Sequence, residues 1–341
     1  MTAWYIDQGP ERDVIISSRI RLARNFKDFP FPTRMNREQG EQVIKKSKEA
    51  ILENITLTSQ SFEFIPMNSL SVIDRQVMVE KHLVSPEMLQ NVHSRGVFLN
   101  KAENISIMVN EEDHLRIQCL FTGMQLDEAW DSANKLDNVL EEKIAYAYSE
   151  DYGYLTSCPT NVGTGMRASV MIHLPALAIT GYLNSLLSAV SKLGIAVRGL
   201  YGEGTEARGN VFQISNQITM GISEEETLEN LKGIVKQIID QERMARNKLL
   251  QESRLRLEDK LYRSYGIFKN ARVMSSEEFM KLFSDVRLGI NMGIIKDVSL
   301  ETLNTLMIAT QPANIMQRFG SNLSPEERDV KRAELIREKV R

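Results

Sequence analysis

Cys158-Pro159-Thr160-Asn161-Val162-Gly163-Thr164-Gly165-Met166-Arg167 sets a lone thiol, two glycines and an arginine within one short loop. A thiolate acts as a nucleophile, or as a charge beside a reacting group, when nearby cations or dipoles favour it. Glycine lets the backbone approach a ligand closely. Arginine offers a planar fork that suits phosphate. The combination points to phosphate chemistry beside a cysteine. Taken alone, a cysteine is more often a small buried apolar residue.

Three further segments have residue types that suit such chemistry. Ser17-Ser18-Arg19-Ile20-Arg21 puts Arg19 and Arg21 on one face of a strand, by the two-residue period. That arrangement is either a solvated basic edge or a clamp for a polyphosphate. Asn110-Glu111-Glu112-Asp113-His114-Leu115-Arg116 places three carboxylates in a row. It is either an exposed acidic turn or a site where one carboxylate holds a cationic substrate while its neighbours face water or Mg²⁺. Arg198-Gly199-Leu200-Tyr201-Gly202-Glu203-Gly204-Thr205-Glu206 is either a flexible loop or a lid that delivers a carboxylate. No GxxxxGK[ST] or GxGxxG element is present, so the common nucleotide-binding loops are not supported.

The elements that must position these residues read as a mixed order. Val14 to Leu22, Asn104 to Val109, Leu115 to Phe121, Ser169 to Leu174, Ile195 to Gly199 and Val211 to Ser215 have strand patterns. Asn36 to Ile55, Ser69 to Lys81, Ser85 to Asn91, Leu126 to Tyr148 and Leu177 to Leu193 read as helices. The expected class is α+β, an antiparallel sheet backed by helices. From Ser223 the pattern is helical to the end, and Ser223, Ser275, Ser299 and Ser324 each open a helix in the manner of an N-cap. The expected division is a catalytic domain over 14–245 and a small helical domain over 259–341.

Composition narrows the classes. The chain has 341 residues, a formal net charge of −3 and two cysteines. There is no basic excess for nucleic acid, no disulfide framework and no zinc-ligand spacing. No leader and no run long enough to span a bilayer is evident, so a reduced cytoplasmic setting is expected.

The four segments together resemble one family. Ser-x-Arg-x-Arg, Asn-Glu-Glu-Asp-His-Leu-Arg, Cys-Pro-Thr-Asn-x-Gly-Thr-x-x-Arg and Arg-Gly-x-x-Gly-Glu-x-Thr-Glu occur in this order in the ATP:guanidino phosphotransferases, the creatine and arginine kinases. The resemblance covers roughly Val14 to Ala245. It implies ATP and Mg²⁺, and transfer of the γ-phosphoryl group to a guanidinium nitrogen. It implies that Arg19, Arg21, Arg116, Arg167 and Arg198 bind the nucleotide phosphates, with Ser18, Ala168, Ser169 and Gly202 as further nucleotide contacts and His82 bordering the adenine. It implies that Glu112 and Glu203 hold the guanidinium and take up its proton. Cys158 would sit beside the guanidinium as a thiolate, and Glu111 and Asp113 would reach Mg²⁺ through waters.

The departures from the pattern concern the acceptor. Kinases of small guanidines have a helical domain before the Ser-x-Arg-x-Arg strand, whereas only residues 1–13 precede Val14 here. The short start, the Gly202 to Glu206 loop and the added helical tail are similar to the branch of the family that phosphorylates arginine side chains in proteins. The tail contains Arg328-Asp329-Val330-Lys331-Arg332-Ala333. Arg328 and Arg332 stand one turn apart, which by itself suits a surface ion-pair helix. In the resembling branch, Arg328, Asp329, Arg332 and Ala333 would form an allosteric phosphoarginine pocket. The same likeness implies a zinc-binding activator, a Clp-type protease that takes the marked proteins, a heat-shock repressor as target, and homodimerisation through the helical domain. The competing expectations are a small-guanidine kinase and a non-catalytic phosphoarginine-binding adaptor.

Overall fold

The structure is a computed structural model and describes residues 4–54, 61–199 and 208–341. The strands are β1 (Ile15–Arg24), β2 (Glu63–Pro66), β3 (Gly96–Leu99), β4 (Ile105–Val109), β5 (Leu115–Thr122), β6 (Tyr148–Ser149), β7 (Gly153–Tyr154), β8 (Met166–His173), β9 (Ile195–Arg198) and β10 (Val211–Asn216). The helices are α1 (Arg37–Leu52), α2 (Val72–Glu80), α3 (Leu126–Glu141), α4 (Pro175–Ile179), α5 (Leu183–Ser191), α6 (Glu224–Asn270), α7 (Ser276–Asn291), α8 (Leu300–Ala309), α9 (Pro312–Phe319) and α10 (Pro325–Lys339). Eight strands form one antiparallel sheet in the order β2-β3-β4-β5-β1-β8-β10-β9. The expected α+β class is the one observed.

Strand alternation gives the sheet two different faces. On one face, Ile20 and Leu22 of β1 and Ile117 of β5 bury against Ala129, Ala133 and Leu136 of α3 and Leu231, Val235 and Ile238 of α6. Arg24 lies on this face too, paired with Asp137 of α3 at 2.7 Å and only 3.5 Å from the Tyr154 ring. On the other face, Ile16, Met108, Leu120 and Met171 join a second core with Phe279, Phe283, Leu303 and Leu306 of the C-terminal helices. The C-terminal helices therefore cover part of the sheet face that also displays Arg19 and Arg21.

The serine caps form as the sequence implies. Ser223, Ser275, Ser299 and Ser324 each accept a backbone N–H three residues on. Three helix expectations need correction. The segment from Ser85 to Asn91 forms only a short 3-10 turn over Pro86–Leu89. The helix from Leu126 stops at Glu141, because Ala145 and Ala147 pair with Lys27 and Asn25 just past β1. That turn brings Tyr146 beneath Arg24. The helix from Leu177 is broken at Gly181, whose φ of +78° is left-handed, into α4 and α5. Helix α6 runs on to Asn270 through a non-helical residue, Ser253. Phe279, Leu282, Phe283, Val286 and Leu288 are buried within the chain, with Ile290 and Met292 packed at the edge of the same core.

Candidate active site

The sheet brings distant arginines together on one face. Arg21 of β1 is flanked by Arg167 on β8 and by Gln118 on β5, two residues from Arg116. Arg198, at the end of β9, pairs in register with Gln213, whose side chain accepts from Arg19 Nη2 at 2.9 Å. Arg19, Arg21, Arg116, Arg167 and Arg198 line one cleft of about 660 Å³ with His82, Glu111, Glu112 and Cys158. Arg95 and Glu87 line it as well. Among the described lining residues, six arginines face three glutamates, an excess that suits an anion.

The cations are crowded without such a ligand. Burial, reinforced by neighbouring Arg116, lowers Arg19 to about 10. Arg21 is pushed far down from its usual value by burial and by Arg19, Arg116 and Arg167. Its buried Nε has no hydrogen-bond acceptor among the described residues. Polyphosphate oxygens between these guanidinium groups would supply acceptors and remove the repulsion. These residues fit a nucleoside triphosphate.

The acidic turn between β4 and β5 divides its carboxylates among different partners. Glu111 accepts from Arg116 Nη1 at 2.5 and 2.7 Å, and from Ser85 Oγ. Burial works to raise its pKa, but these bonds hold it down at about 2. Glu112 is half-buried in the cleft, and its pKa is raised by burial and by the charges of Asp113 and Glu111. Asp113 is buried away from the cleft lining, where its Oδ1 accepts from Asn25 Nδ2 and Ser157 N. For Mg²⁺ the donor chemistry is right, since these are carboxylates. Yet Glu111 and Asp113 are committed to protein donors, and the described residues hold no cluster of three or more metal-ligating side chains.

The cysteine loop is fixed at both ends. Gly163 has a φ of +110°, and a Cβ there would lie 2.1 Å from the Thr219 carbonyl. Gly165 has a φ of +63°, and a Cβ would meet Arg24 and the Ala23 carbonyl. Only glycine is tolerated at such approaches. Cys158 Sγ lies 3.1 Å from Thr160 Oγ1, which also accepts from Arg167 Nη2 at 3.1 Å. Arg167 further donates to Asn161 and to the Asn216 carbonyl. One hydroxyl thus links the thiol to the arginine cradle.

Not every expected contact enters the cleft by its side chain. Ser18 Oγ donates to the Gly123 carbonyl at 2.7 Å on the helix-covered face. Ala168 lies in the core on that face, its N–H donating to Asn216. Ser169 is buried opposite Arg19 in the β1–β8 register. His82 lines the cleft with a φ of +59° and packs edge-on to Trp4; burial and Arg19 depress its pKa to about 3, so the ring is neutral. Glu203 and Gly202 lie outside the described residues. Sequence reasoning missed Arg95, Glu87 and Gln213, which belong to no continuous motif and meet only through the fold.

The tail residues form a second cluster. Arg332 is buried on α10, donating to the carbonyls of Thr310 and Met274 and to the Asp329 carboxylate. Ala333 is buried beside it, whereas Arg328 is half-buried and donates to Met316 Sδ at 3.8 Å. Glu80, the last residue of α2, accepts from Ala313 N, Asn314 N and Asn314 Nδ2 at the start of α9. A carboxylate there meets the positive end of the helix. Two residues further on, His82 reaches the cleft.

Residues 42–245 match the ATP:guanido phosphotransferase C-terminal catalytic domain, and the chain belongs to that family. Residues 254–341 match the protein-arginine kinase McsB C-terminal domain. The chain is 55% identical over 326 residues to the protein-arginine kinase of Caldanaerobacter subterraneus subsp. tengcongensis, covering 96% of each. It is 50% identical over 340 residues to that of Bacillus subtilis, covering 100% of this chain and 93% of the relative. Among solved structures it resembles the duplicated taurocyamine kinase of Schistosoma mansoni, with a TM-score of 0.62 and 27% identity over 70% of this chain and 34% of that one. A lombricine kinase gives a TM-score of 0.61 and 25% identity over 71% of this chain and 69% of that one. The enzyme is a phosphotransferase with a guanidino acceptor.

Proposed function

We propose that this enzyme transfers the γ-phosphoryl group of ATP to the guanidinium of arginine side chains in proteins. The observation that carries the reading is the cleft itself, where the arginines meet Glu112 and Cys158. Likeness over nearly the whole chain to relatives named protein-arginine kinase supports the protein acceptor.

The chemistry follows from the residues. Arg19, Arg21, Arg116, Arg167 and Arg198 hold the triphosphate and stabilise the charge that develops on it. A guanidinium is a poor nucleophile because it is protonated and its lone pair is delocalised. Glu112 orients it in line with the γ-phosphorus. A guanidinium nitrogen forms the N–P bond, the bond from the γ-phosphorus to the bridging oxygen breaks, and ADP leaves. The proton passes to Glu112, whose raised pKa suits a base. Glu203 would be its partner acid, and Cys158 would face the guanidinium's other side. Mg²⁺ would come with the nucleotide and neutralise phosphate charge, with Glu111 of the cleft in reach of its waters; Asp113, buried against Asn25 and Ser157, does not take the water-mediated role that the family pattern implies.

The finer proposals rest on the family likeness. The chain divides into a catalytic domain over 14–245 and a helical domain over 259–341 that contributes dimer contacts. Arg328, Asp329, Arg332 and Ala333 sense phosphoarginine. A zinc-binding activator, a Clp-type protease and a heat-shock repressor are partners, in the cytoplasm. Among the described residues no helix is long and apolar enough to cross a membrane. Incubating a basic protein with MgATP, with and without excess free arginine, tests the acceptor. Protein phosphate that is acid-labile and survives the free arginine is expected. Phosphorylation of free arginine alone would replace the reading with a small-guanidine kinase.

A further inference from the structure

Asp113 sits one residue from Glu112, yet its side chain turns away from the cleft. It is 3% exposed, and its Oδ1 accepts from Asn25 Nδ2 at 2.6 Å and Ser157 N at 2.7 Å. Asn25 itself is 1% exposed and bound on all sides. Its Nδ2 also donates to the Leu155 carbonyl at 3.1 Å, and its Oδ1 accepts from His114 N at 2.9 Å. Asn25 thus ties the exit of β1, the acidic turn and the strand entering the cysteine loop into one knot. Ser157 is the residue before Cys158, and Thr156 Oγ1 donates to the Cys158 carbonyl at 2.8 Å. From Cys158 the contacts run through Thr160 to Arg167.

We propose that Asp113 is a positioning residue: as a hydrogen-bond acceptor for the Ser157 amide, it fixes the Cys158 loop against the turn that presents Glu112. The inference rests on the reading that Glu112 and Cys158 face the acceptor guanidinium. One turn then carries both the group that contacts the acceptor and the brace for the loop opposite it. Two groups that must flank one small planar cation need a fixed separation, and a shift of about 1 Å costs on the order of a hundredfold in rate. A buried acceptor serves this purpose by geometry. Its negative charge is not what the amide requires, because an asparagine carbonyl in the same place accepts the same bonds.

That distinction provides the test. Amide hydrogen exchange over 155–160 is followed by mass spectrometry in protein free of nucleotide and metal, and kcat and KM for ATP are measured separately. Asp113→Ala is expected to raise exchange at Ser157 about tenfold or more and to lower kcat about a hundredfold with little change in KM. Asp113→Asn is expected to keep Ser157 protected and kcat within about threefold of the unaltered enzyme. Asn25→Ala, which leaves every carboxylate in place, is expected to loosen the same peptide and lower kcat about tenfold, and it carries the test if Asp113→Ala does not fold. Loss of turnover in Asp113→Asn with Ser157 still protected would overturn the proposal in favour of a charge role, as for a metal shell. Unchanged exchange in Asp113→Ala would overturn it as well. Because exchange is read without substrate, it stands apart from failure of the acceptor assignment, which would appear as an unaltered enzyme that forms no phosphoarginine.

Discussion

Glu111 and Arg116, five residues apart across the β4–β5 turn, form a two-oxygen ion pair at the edge of the arginine cradle. The pair leaves Arg116 facing the cleft but restrains its direction. It also supplies a negative charge inside a cluster of cations that repel one another.

Removing that carboxylate has two opposite effects. Glu111→Gln leaves a partly buried arginine without its counter-charge, which is expected to cost about 3 kcal/mol of stability. The cradle gains net positive charge, so MgATP is expected to restore more stability to the variant than it adds to the unaltered chain. Thermal unfolding with and without MgATP checks both, and equal stabilisation of the two proteins would contradict the role assigned to the pair.

The sign of the acid dependence follows from the depressed carboxylate. Glu111 ionises at about 2 in the folded chain against 4.5 ordinarily. Its contribution to stability is therefore complete above pH 4.5 and is lost as pH falls toward 2. The buried histidines act earlier. His82 and His114 are lowered from 6.5 to about 3 and about 4, chiefly by burial. They stay neutral in the folded chain while the unfolded chain takes up protons. Stability is expected to begin falling as pH drops through 6.5, and His82→Gln is expected to blunt that fall. Denaturant titrations between pH 7 and pH 4, in roughly one-unit steps around these midpoints, measure it.

Turnover has its own acid limb. Glu112 must be ionised to orient and deprotonate the guanidinium, and burial with two acidic neighbours raises its pKa above 4.5. The profile of kcat/KM against pH is expected to fall on the acid side at a midpoint above that value. An acid limb below 4.5 would contradict a base role for Glu112.

The two tail arginines are expected to behave differently. Arg332 is 1% exposed and holds three parts of the C-terminal core, so Arg332→Ala is expected to lose about 2–4 kcal/mol of stability. Arg328 has no such network, so Arg328→Ala is expected to spare stability and basal turnover while lowering stimulation by arginine-phosphorylated protein. A combined thermal and kinetic comparison of the two variants separates structural from regulatory loss.

Glu80 offers a route between the two clusters. It caps α9 near Arg332, while His82, two residues further along the chain, reaches the cleft. Glu80→Gln keeps one of the two acceptor oxygens and removes the charge at the helix start, and is expected to weaken stimulation more than basal turnover. Equal loss of the two rates would argue against this route.

Much of the site is legible in the sequence because its motifs are continuous. Arg19 and Arg21 share a face by strand periodicity alone, and the serine caps mark the helices of the tail. What stayed hidden depends on long-range packing. The end of α3 is set by Tyr146 moving under Arg24, which no local periodicity reveals. Arg95 and Gln213 enter the cleft singly, from elements far apart in the chain. The helical period places Arg328 and Arg332 on neighbouring turns but does not give their depth, and only one is buried. The carboxylate row gives no sign that Asp113 turns inward to Asn25 and Ser157.

The most direct test is intact-mass and site mapping of a basic protein after incubation with MgATP, handled without acid, using the unaltered enzyme and Glu112→Gln. Phosphoryl groups on arginine side chains are expected with the unaltered enzyme, and a loss of about a hundredfold or more with Glu112→Gln. Phosphate confined to hydroxyl side chains, or arginine phosphorylation that persists undiminished in Glu112→Gln, would contradict the proposed chemistry.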